Sequence, residues 1–422
     1  MPYTGGLFWH VIELSQKMIF SALFLVESRL GQTCFTRKSK ISFNEMIMFM
    51  LNLNKRSLQL ELDHFFKTIK GTNMTFTKQA FSERRLMISP TAFILLNDAV
   101  VDRVYRDGDH KTHKGYRLLA IDGSTSQLQN TEELRNAFGY AQNKTERVAR
   151  ARVSGLYDIK NRIIIDARIT HYSTGERELA VMHLTKLKER GYKNDLILLD
   201  RGYPSRDIIY RLNEEKIAFL MRVSRSFLKE INAAKGSDTK VSINVGNKVI
   251  NLRVIKLKLD SGEEEILVTN LINEFIKEDF KALYFERWGI ETKYNELKNI
   301  LEIENYTGYK PIAIEQDFYA TIYLSNMASL AANAANDEVA QDNNDKELKY
   351  QYKANMNILV GKLKDDLVLI MLQQNPYKRQ AMFNRIMKEI IRNVVPIRPG
   401  RTNKRRKKFM RNKYPMNSRR AL

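Results

Sequence analysis

The sequence has a single cysteine, Cys34, in 422 residues, and this scarcity removes two classes of protein from consideration. A disulfide framework needs a pair of cysteines, and a thiolate zinc site needs at least two. A reducing compartment fits the composition, because disulfides form in oxidising ones. We therefore expect a fold held by an ordinary hydrophobic core, for which a 43% share of hydrophobic residues is sufficient.

A hydrophobic run long enough to cross a membrane is missing as well. Residues 7–25 are rather apolar, but His10, Glu13 and Lys17 interrupt them. A bilayer-spanning helix needs about 20 predominantly apolar residues, and a signal peptide needs a continuous apolar segment. The segment is therefore predicted to be a core helix, and no membrane partner is expected.

Acidic residues are scarce relative to basic ones, with 48 Asp and Glu against 70 Lys and Arg, which gives a formal net charge of +22. Such a field attracts polyanions, and nucleic acid is the first candidate. Ribosome association or an anionic membrane surface would produce the same bias. The C-terminal stretch 398–420 carries 11 Lys and Arg and no acid, which is typical of a basic, disordered tail.

The N-terminal region reads as a series of helices. Two of them, "KRSLQLELDHFFK" and "FTKQAFSERRLM", flank the turn "KGTN", as in a helix-turn-helix. The second helix would offer Lys78, Arg84 and Arg85 to DNA. Any helical bundle contains such a pattern, so the prediction of DNA contact depends on the rest of the chain.

From about residue 116 the pattern becomes that of an α/β fold, a mixed sheet flanked by helices. Strands are predicted at 116–122, within 151–170, and at 195–200 and 217–223, with helices at 175–190 and 205–216. Glu132 and Glu133 are predicted to lie in a polar loop. The expected regions are a helical N-terminal DNA-binding region (1–110), a catalytic core (111–225 and 276–340), a β-rich insertion (226–275), a C-terminal helical region (341–397) and the basic tail (398–422).

Two predicted strands end in an aspartate, Asp122 in "LLAIDGST" and Asp200 in "LILLDRGY". Aspartate is unfavourable within strands, and ligands bind at the carboxyl ends of strands in α/β sheets. An aspartate that ends a strand and starts a turn is nevertheless common without any function. Taken singly, each aspartate therefore favours the structural interpretation.

The segment "YFERWGIETKYNELKN", residues 284–299, is predicted to be one helix with an unusual mixture of side chains. On a continuous α-helix, Tyr284, Arg287, Glu291 and Lys298 share a narrow stripe at the edge of an apolar seam. The simpler interpretation is an Arg287–Glu291 ion pair at i, i+4 on a solvated helix. The alternative is that the stripe takes part in chemistry.

Carboxylates from two strand ends and one packed helix are the set that a pair of hard divalent ions requires, at a separation of about 3.5–4 Å. Asp122, Asp200 and Glu291 supply such a set. A metal pair of this kind activates a water or a 3′-hydroxyl and stabilises the leaving oxygen of a phosphodiester. Arg287 and Lys298, on the same helix as Glu291, would then hold phosphates of a bound strand.

Together, the strand-end aspartates, the β-rich insertion and the Y-x2-R-x3-E-x6-K spacing resemble the DDE transposases of bacterial insertion sequences. The insertion-sequence-four group is the most similar, and this chain meets every position of its spacing with Tyr284, Arg287, Glu291 and Lys298. The resemblance covers roughly residues 110–335, and more loosely 36–100. It implies a ribonuclease-H-like core, with the β-rich insertion before the catalytic helix.

The resemblance also implies an activity: Mg²⁺-dependent cleavage at the terminal inverted repeats of a mobile element, followed by transfer of the ends to target DNA. Two Mg²⁺ ions, with Mn²⁺ as a possible substitute, would be held by the catalytic residues Asp122, Asp200 and Glu291. The residues implied to contact DNA near the cut are Tyr284, Arg287, Trp288 and Lys298.

The implied partners are the double-stranded DNA of the element ends and of the target, bound by a homodimer on paired ends. The implied location is the bacterial cytoplasm, at the nucleoid. Two alternatives stay open, namely a stand-alone nuclease of the same fold and an inactive DNA-binding remnant with a regulatory role.

Overall fold

The computed structural model describes residues 6–52, 56–142, 146–259, 262–343 and 348–398. Residues 399–422, which include nearly all of the predicted basic tail, lie outside the described residues. Within the described ranges, no helix combines the length and the apolar character needed to cross a membrane.

Helices and strands alternate in the middle of the chain, whereas helices predominate at both ends. The helices are α1 (Leu7–Ile19), α2 (Ala22–Ser28), α3 (Phe43–Met50), α4 (Leu58–His64, continued by a π-helical turn at Phe65–Ile69), α5 (Lys78–Arg85), α6 (Thr91–Tyr105), α7 (Glu132–Phe138), α8 (Glu176–Arg190), α9 (Arg206–Glu214), α10 (Lys229–Ala233), α11 (Lys277–Phe285), α12 (Trp288–Asn299), α13 (Pro311–Asn343), α14 (Met356–Leu372) and α15 (Pro376–Arg392). The strands are β1 (Arg117–Gln127), β2 (Tyr140–Gln142), β3 (Arg147–Asp158), β4 (Ile163–His171), β5 (Asp195–Leu199), β6 (Ala218–Val223), β7 (Asp238–Val245), β8 (Lys248–Lys258), β9 (Glu264–Thr269), β10 (Tyr352–Ala354) and β11 (Val394–Pro396).

The chain divides into two compact units. The helical unit comprises the described residues of 1–109, 127–151 and 296–422, so the N-terminal and C-terminal helices belong to the same unit. The sheet unit comprises the described residues of 110–126 and 152–295, and it holds most of the strands.

In the helical unit, α1 is a buried core helix. Its Phe8 and Trp9 pack against Phe383 of α15, with ring centroids 5.6 and 5.0 Å apart. The Gln16 side chain donates hydrogen bonds to the main-chain oxygens of Met371, at 2.7 Å, and Gln373, at 3.2 Å. The predicted core helix is therefore present over Leu7–Ile19, but it does not extend to residue 25, because α2 begins at Ala22 and Leu23 is exposed.

The main sheet has nine strands within the described residues, in the order β2-β3-β1-β5-β6-β9-β8-β7, and β4 pairs with β3. Strands β1, β5 and β6 are parallel, whereas β9, β8 and β7 continue the sheet in antiparallel fashion. The predicted β-rich insertion is thus an extension of the main sheet rather than a separate layer.

The first strand, β1, is central to this arrangement. The β3–β4 hairpin lies on one side of it, and the parallel strands β5 and β6, joined through α9, lie on the other. All five residues of β5 are buried, as expected for a parallel strand that is covered on both faces. This order is the ribonuclease-H-like arrangement, and the predicted α/β class is confirmed.

The predicted polar loop at Glu132 and Glu133 is wrong, because both residues begin α7. The cap residue Thr131 accepts a hydrogen bond from the backbone N–H of Leu134 at 3.3 Å. Acidic side chains in a first turn interact favourably with the helix dipole. The helix has only seven residues, too few for its buried Leu134 and Phe138 to reveal a helical period.

A buried ion pair joins the starts of β1 and β5. Arg117 and Asp195 are partners in the strand register, and each side chain is only 3% exposed. The guanidinium donates from Nε to Asp195 Oδ1 at 2.8 Å. Because a buried charge without its partner is costly, this pair opposes any slip of the two strands.

Replacing Asp195 by alanine should destabilise the chain by about 3–5 kcal/mol, because the buried Arg117 charge then loses the carboxylate that faces it across the strands. Chemical denaturation, followed by circular dichroism, measures the loss. The matched control is Asp207→Ala, which removes an exposed i, i+4 pair with Arg211. The control should change stability by less than about 1 kcal/mol. Equal losses in the two variants would show that the buried pair does not hold the strands.

Candidate active site

The register of β1 and β5 places the two predicted aspartates side by side. Ala120 of β1 pairs with Leu198 of β5, and the same offset puts Asp122 beside Asp200. Adjacent strands lie about 4.8 Å apart, so the two residues lie close to each other. One detail differs from the prediction, because β1 does not end at Asp122 but continues to Gln127 beyond the end of β5.

Asp122 is half-buried among other charged groups. Its carboxylate accepts a hydrogen bond from the backbone N–H of Gly123 at 2.9 Å. The pKa of Asp122 is raised to about 6, mainly by burial and also by the negative charges of Glu291 and Glu176, whereas the Gly123 hydrogen bond and Arg287 act to lower it. Asp122 and Glu291, which are far apart in sequence, are therefore within electrostatic reach of each other.

Asp200 is the more exposed of the two aspartates, with 40% of its side chain accessible. It accepts a hydrogen bond from the backbone N–H of Arg201 at 2.6 Å. The hydroxyl of Tyr284 donates to Asp200 Oδ1 at 3.5 Å, and the ring of Tyr284 is buried in the hydrophobic core. Tyr284 thus contacts one of the predicted metal ligands instead of presenting its ring to solvent.

The predicted single helix over residues 284–299 is wrong, because α11 ends at Phe285 and α12 begins at Trp288. At the junction, main-chain hydrogen bonds have 3₁₀ spacing, including Arg287 N–H to Tyr284 O at 3.1 Å and Ile290 N–H to Arg287 O at 3.1 Å. A Cβ at Gly289 would lie 3.1 Å from Ile159 Cγ2, so the junction packs closely where only glycine fits without a shift. The helix is interrupted at residues 286–287, so Tyr284 does not lie on the same helical face as Glu291 and Lys298 by the rotation of one continuous helix.

Arg287, in this junction, lies between two of the predicted metal ligands. Its Nη2 is 2.9 Å from Glu291 Oε1 and 3.8 Å from Asp200 Oδ2, and its side chain is 7% exposed. The predicted i, i+4 pair with Glu291 is therefore present, but it is not a solvated surface pair. The buried guanidinium joins a carboxylate after β5 to a carboxylate on α12.

A fourth carboxylate, Glu176 at the start of α8, was not identified from the sequence. A Cβ on Gly202 would lie 2.5 Å from Glu176 Oε2, and a Cβ on Gly123 would lie 3.4 Å from Glu176 Cγ. Glu176 thus lies against the two glycines that closely follow Asp122 and Asp200. Those two glycines were the available signal, because each leaves space beside an aspartate that another side chain can occupy.

The donor set suits a hard divalent cation, because carboxylate oxygens are the ligands that Mg²⁺ prefers. Tyr203 also lies within electrostatic reach of these carboxylates. Its hydroxyl is buried without a hydrogen-bond partner, and the charges of Asp122, Glu176 and Asp200 all raise the pKa of its phenol, after the larger effect of burial. Within the part of the chain that the structure describes, however, no three His, Cys, Asp or Glu side chains lie close enough to hold one ion.

Lys298 and Trp288 have different surroundings. Lys298 belongs to the helical unit, where its Nζ lies 3.4 Å from Glu304 Oε1. Trp288 is 42% exposed, and the Arg287 guanidinium lies 5.8 Å from the centre of its ring. The predicted DNA contacts of both residues stay predictions.

The basic residues of α5 differ in their availability to DNA. Lys78 is exposed and lines a cleft of about 730 Å³ in the helical unit, and Arg84 lies 4.5 Å from the centre of the Phe35 ring. Arg85 is only 2% exposed, and it donates to Gln316 Oε1 at 2.8 Å and to Asp317 Oδ1 at 2.6 Å. The prediction that Arg85 is available to DNA does not fit this geometry. Sequence could not separate the two adjacent arginines, because only the packing against α13 distinguishes them.

Comparison with known proteins adds a family match. The family model described as "Transposase DDE domain" matches residues 113–327, just over half of the chain, and the match includes Asp122, Asp200 and Glu291. Among solved structures, the chain is similar to a cryo-EM structure of a piggyBac transposase synaptic complex with hairpin DNA. That similarity has 13% sequence identity and a TM-score of 0.47, and covers 93% of this chain and 87% of the other. No curated protein matches the chain.

Asp122→Asn should stabilise the metal-free chain at pH 7.5. The pKa of Asp122 is raised from 3.8 to about 6, so between these values the folded chain binds more protons than the unfolded chain and loses stability as the pH rises. Asparagine stays neutral and avoids this loss, so the difference from wild type should vanish below about pH 4. Thermal unfolding in EDTA, between about pH 4 and pH 7.5, measures the difference in stability between the variant and the wild type. The exposed Asp207→Asn is the control. A variant that is less stable than wild type at pH 7.5 would contradict the assignment.

Proposed function

Because the chain belongs to the family of transposases with a DDE domain, we propose that it binds the terminal inverted repeats of a mobile element, cleaves them and transfers the ends to target DNA. The single observation that supports this most is that Asp200 and Glu291 both lie within ion-pair distance of the Arg287 guanidinium, which is within electrostatic reach of Asp122. A carboxylate after β5 and another on α12 share this one buried cation, at 3.8 and 2.9 Å. A sheet edge without a ligand-binding role would not require two carboxylates from different elements to share one buried guanidinium.

Transposases with a DDE domain generally use divalent metal ions, and here we assign two Mg²⁺ ions, with Mn²⁺ as a substitute. The residues that would hold them are Asp122, Asp200 and Glu291. When bound, such ions supply an activated water or 3′-hydroxyl and stabilise the leaving oxygen of the phosphodiester. The Glu176 carboxylate and the Tyr203 hydroxyl, which has no hydrogen-bond partner, lie near these ligands. They would bind the water molecules that surround a hard cation.

The cations beside the carboxylates would bind the DNA backbone. Arg287 is the nearest one, and its planar guanidinium suits a terminal phosphate. Trp288, exposed beside it, would contact the end of the duplex. Tyr284 would act through Asp200, to which its hydroxyl donates, because its ring is buried.

The remaining partner assignments rest on charge and on the resemblance. A net charge of +22 fits double-stranded DNA, at both the element ends and the target. We assign specific contacts to Lys78 and Arg84, and leave Arg85 out because its donors are engaged within the helical unit. The spacing of Tyr284, Arg287, Glu291 and Lys298 supports the insertion-sequence-four group, a homodimer on paired ends and a bacterial nucleoid location.

Alanine in place of Asp122, Asp200 or Glu291 should abolish DNA cleavage while DNA binding survives. A two-metal site loses its geometry when one ligand is lost, whereas affinity comes mostly from phosphate contacts elsewhere. Strand mapping on element-end DNA with Mg²⁺ measures cleavage, and a gel-shift titration measures binding. Asp207→Ala, which removes an exposed carboxylate in the same unit, is the control.

The same experiment separates the alternatives. Cleavage without preference for element ends and without strand transfer would indicate a stand-alone nuclease. Binding without any cleavage by the wild-type chain would indicate an inactive remnant. Near-normal nicking by one of the three variants would remove that residue from the proposed metal site.

Lys298→Ala should lower strand cleavage or joining by about tenfold or more, because a charge-assisted hydrogen bond contributes about 1.5–3 kcal/mol. Lys298→Arg should rescue only partly, since a planar fork does not replace a point charge at a tight site. Lys188→Ala, which breaks the exposed pair with Glu215, is the matched control. Full activity of Lys298→Ala would remove Lys298 from the proposed DNA contacts.

A further inference from the structure

The main-chain carbonyl of Asp122 accepts two side-chain hydrogen bonds from different elements. The hydroxyl of Tyr294, on α12, donates to it at 2.8 Å. The hydroxyl of Ser154, on β3, donates to it at 3.1 Å. A strand carbonyl ordinarily pairs with a backbone N–H, so two hydroxyls on one oxygen of a predicted metal ligand are unusual.

Tyr294 lies three residues after Glu291 on α12, and its phenol oxygen also accepts a hydrogen bond from the backbone N–H of Gly155 on β3. One hydroxyl thus lies between a carbonyl of β1 and an amide of β3. Burial raises the pKa of the Tyr294 phenol, so the hydroxyl keeps the proton that it donates to Asp122. The helix that carries Glu291 is thereby bound to the strand that carries Asp122.

Ser154 begins a buried chain of polar side chains. Its Oγ is 2.9 Å from His183 Nε2, and His183 Nδ1 is 2.7 Å from Asp166 Oδ2. Arg168 donates to the same Asp166 oxygen at 2.9 Å. Ser154, His183 and Asp166 are 2%, 0% and 8% exposed. Although these residue types also form nucleophilic triads, Ser154 is buried and uses its proton on the Asp122 carbonyl, so a substrate cannot reach it.

We propose that Tyr294 and the Ser154–His183–Asp166 chain are positioning residues that fix the main chain at Asp122, and thereby direct its carboxylate toward the place where Asp200 and Glu291 would join it around a divalent cation. The carbonyl belongs to Asp122 itself, so restraining that carbonyl restrains the direction of the side chain. This inference rests on the proposed function.

The test is Tyr294→Phe in the full chain, because this change removes only the hydroxyl. Isothermal titration of Mn²⁺ without DNA should show affinity reduced by about tenfold, as is typical when a group that orients a metal ligand is removed. Cleavage at saturating element-end DNA should fall with unchanged DNA affinity, and higher Mn²⁺ should restore part of it. Ser154→Ala, measured in the same way, should act in the same direction. The double variant should lose more than the product of the single losses, because no side-chain donor then remains.

The matched control is Tyr210→Phe, which removes a hydroxyl bonded to Lys248 in the same unit. Tyr294→Phe leaves buried polar groups without a partner and should melt somewhat below this control, so Mn²⁺ affinities are compared at a temperature at which both variants are fully folded. Wild-type Mn²⁺ affinity in both Tyr294→Phe and Ser154→Ala would overturn the inference, even if cleavage fell. Reduced Mn²⁺ affinity that merely tracks a fall in melting temperature would also overturn it, in favour of a structural role. If the wild-type chain neither bound Mn²⁺ nor cleaved DNA, the proposed function itself would fail, which is a distinguishable result.

Discussion

The carboxylates of Asp122, Asp200, Glu291 and Glu176 face the same constraint, which is that like charges brought together repel. Two unit charges 4 Å apart interact by about 4 kcal/mol at the effective dielectric typical of a protein near its surface. The raised pKa of Asp122 is the local consequence of burial together with its acidic neighbours. The Arg287 guanidinium offsets this repulsion, since it lies within ion-pair distance of both Glu291 and Asp200.

Several contacts of the sheet unit bring these carboxylates close together despite their mutual repulsion. The parallel register of β1 and β5 brings Asp122 and Asp200 together, and the buried Arg117–Asp195 pair holds that register at the other end of the strands. The 3₁₀ turn between α11 and α12 puts Arg287 where it meets carboxylates from two elements. The same helix returns to β1 through the Tyr294 hydroxyl. Together these contacts hold the segments that carry Asp122, Asp200 and Glu291.

Sequence patterns were informative where one local signal governs the outcome. The buried strand before Asp200, the helix predicted at 205–216 and the mixed sheet follow from apolar runs, and all are present. Glu176 was missed because its neighbours in the site come from distant segments. The break at 286–287 was missed because nothing in a helical pattern shows that Gly289 must pack against Ile159. Arg85 was misjudged because its burial depends on α13, more than 200 residues later in the chain.

If Asp122, Asp200 and Glu291 hold divalent metal, iron-directed cleavage of the backbone should reveal the site. The full chain is loaded with Fe²⁺ in place of Mg²⁺ and treated with ascorbate and peroxide, and the fragments are mapped by mass spectrometry. Cuts should cluster at residues 122–123, 200–202 and 287–291, and excess Mg²⁺ should suppress all of them. Cuts that ignore Mg²⁺, or that cluster away from these three segments, would contradict the proposed metal site.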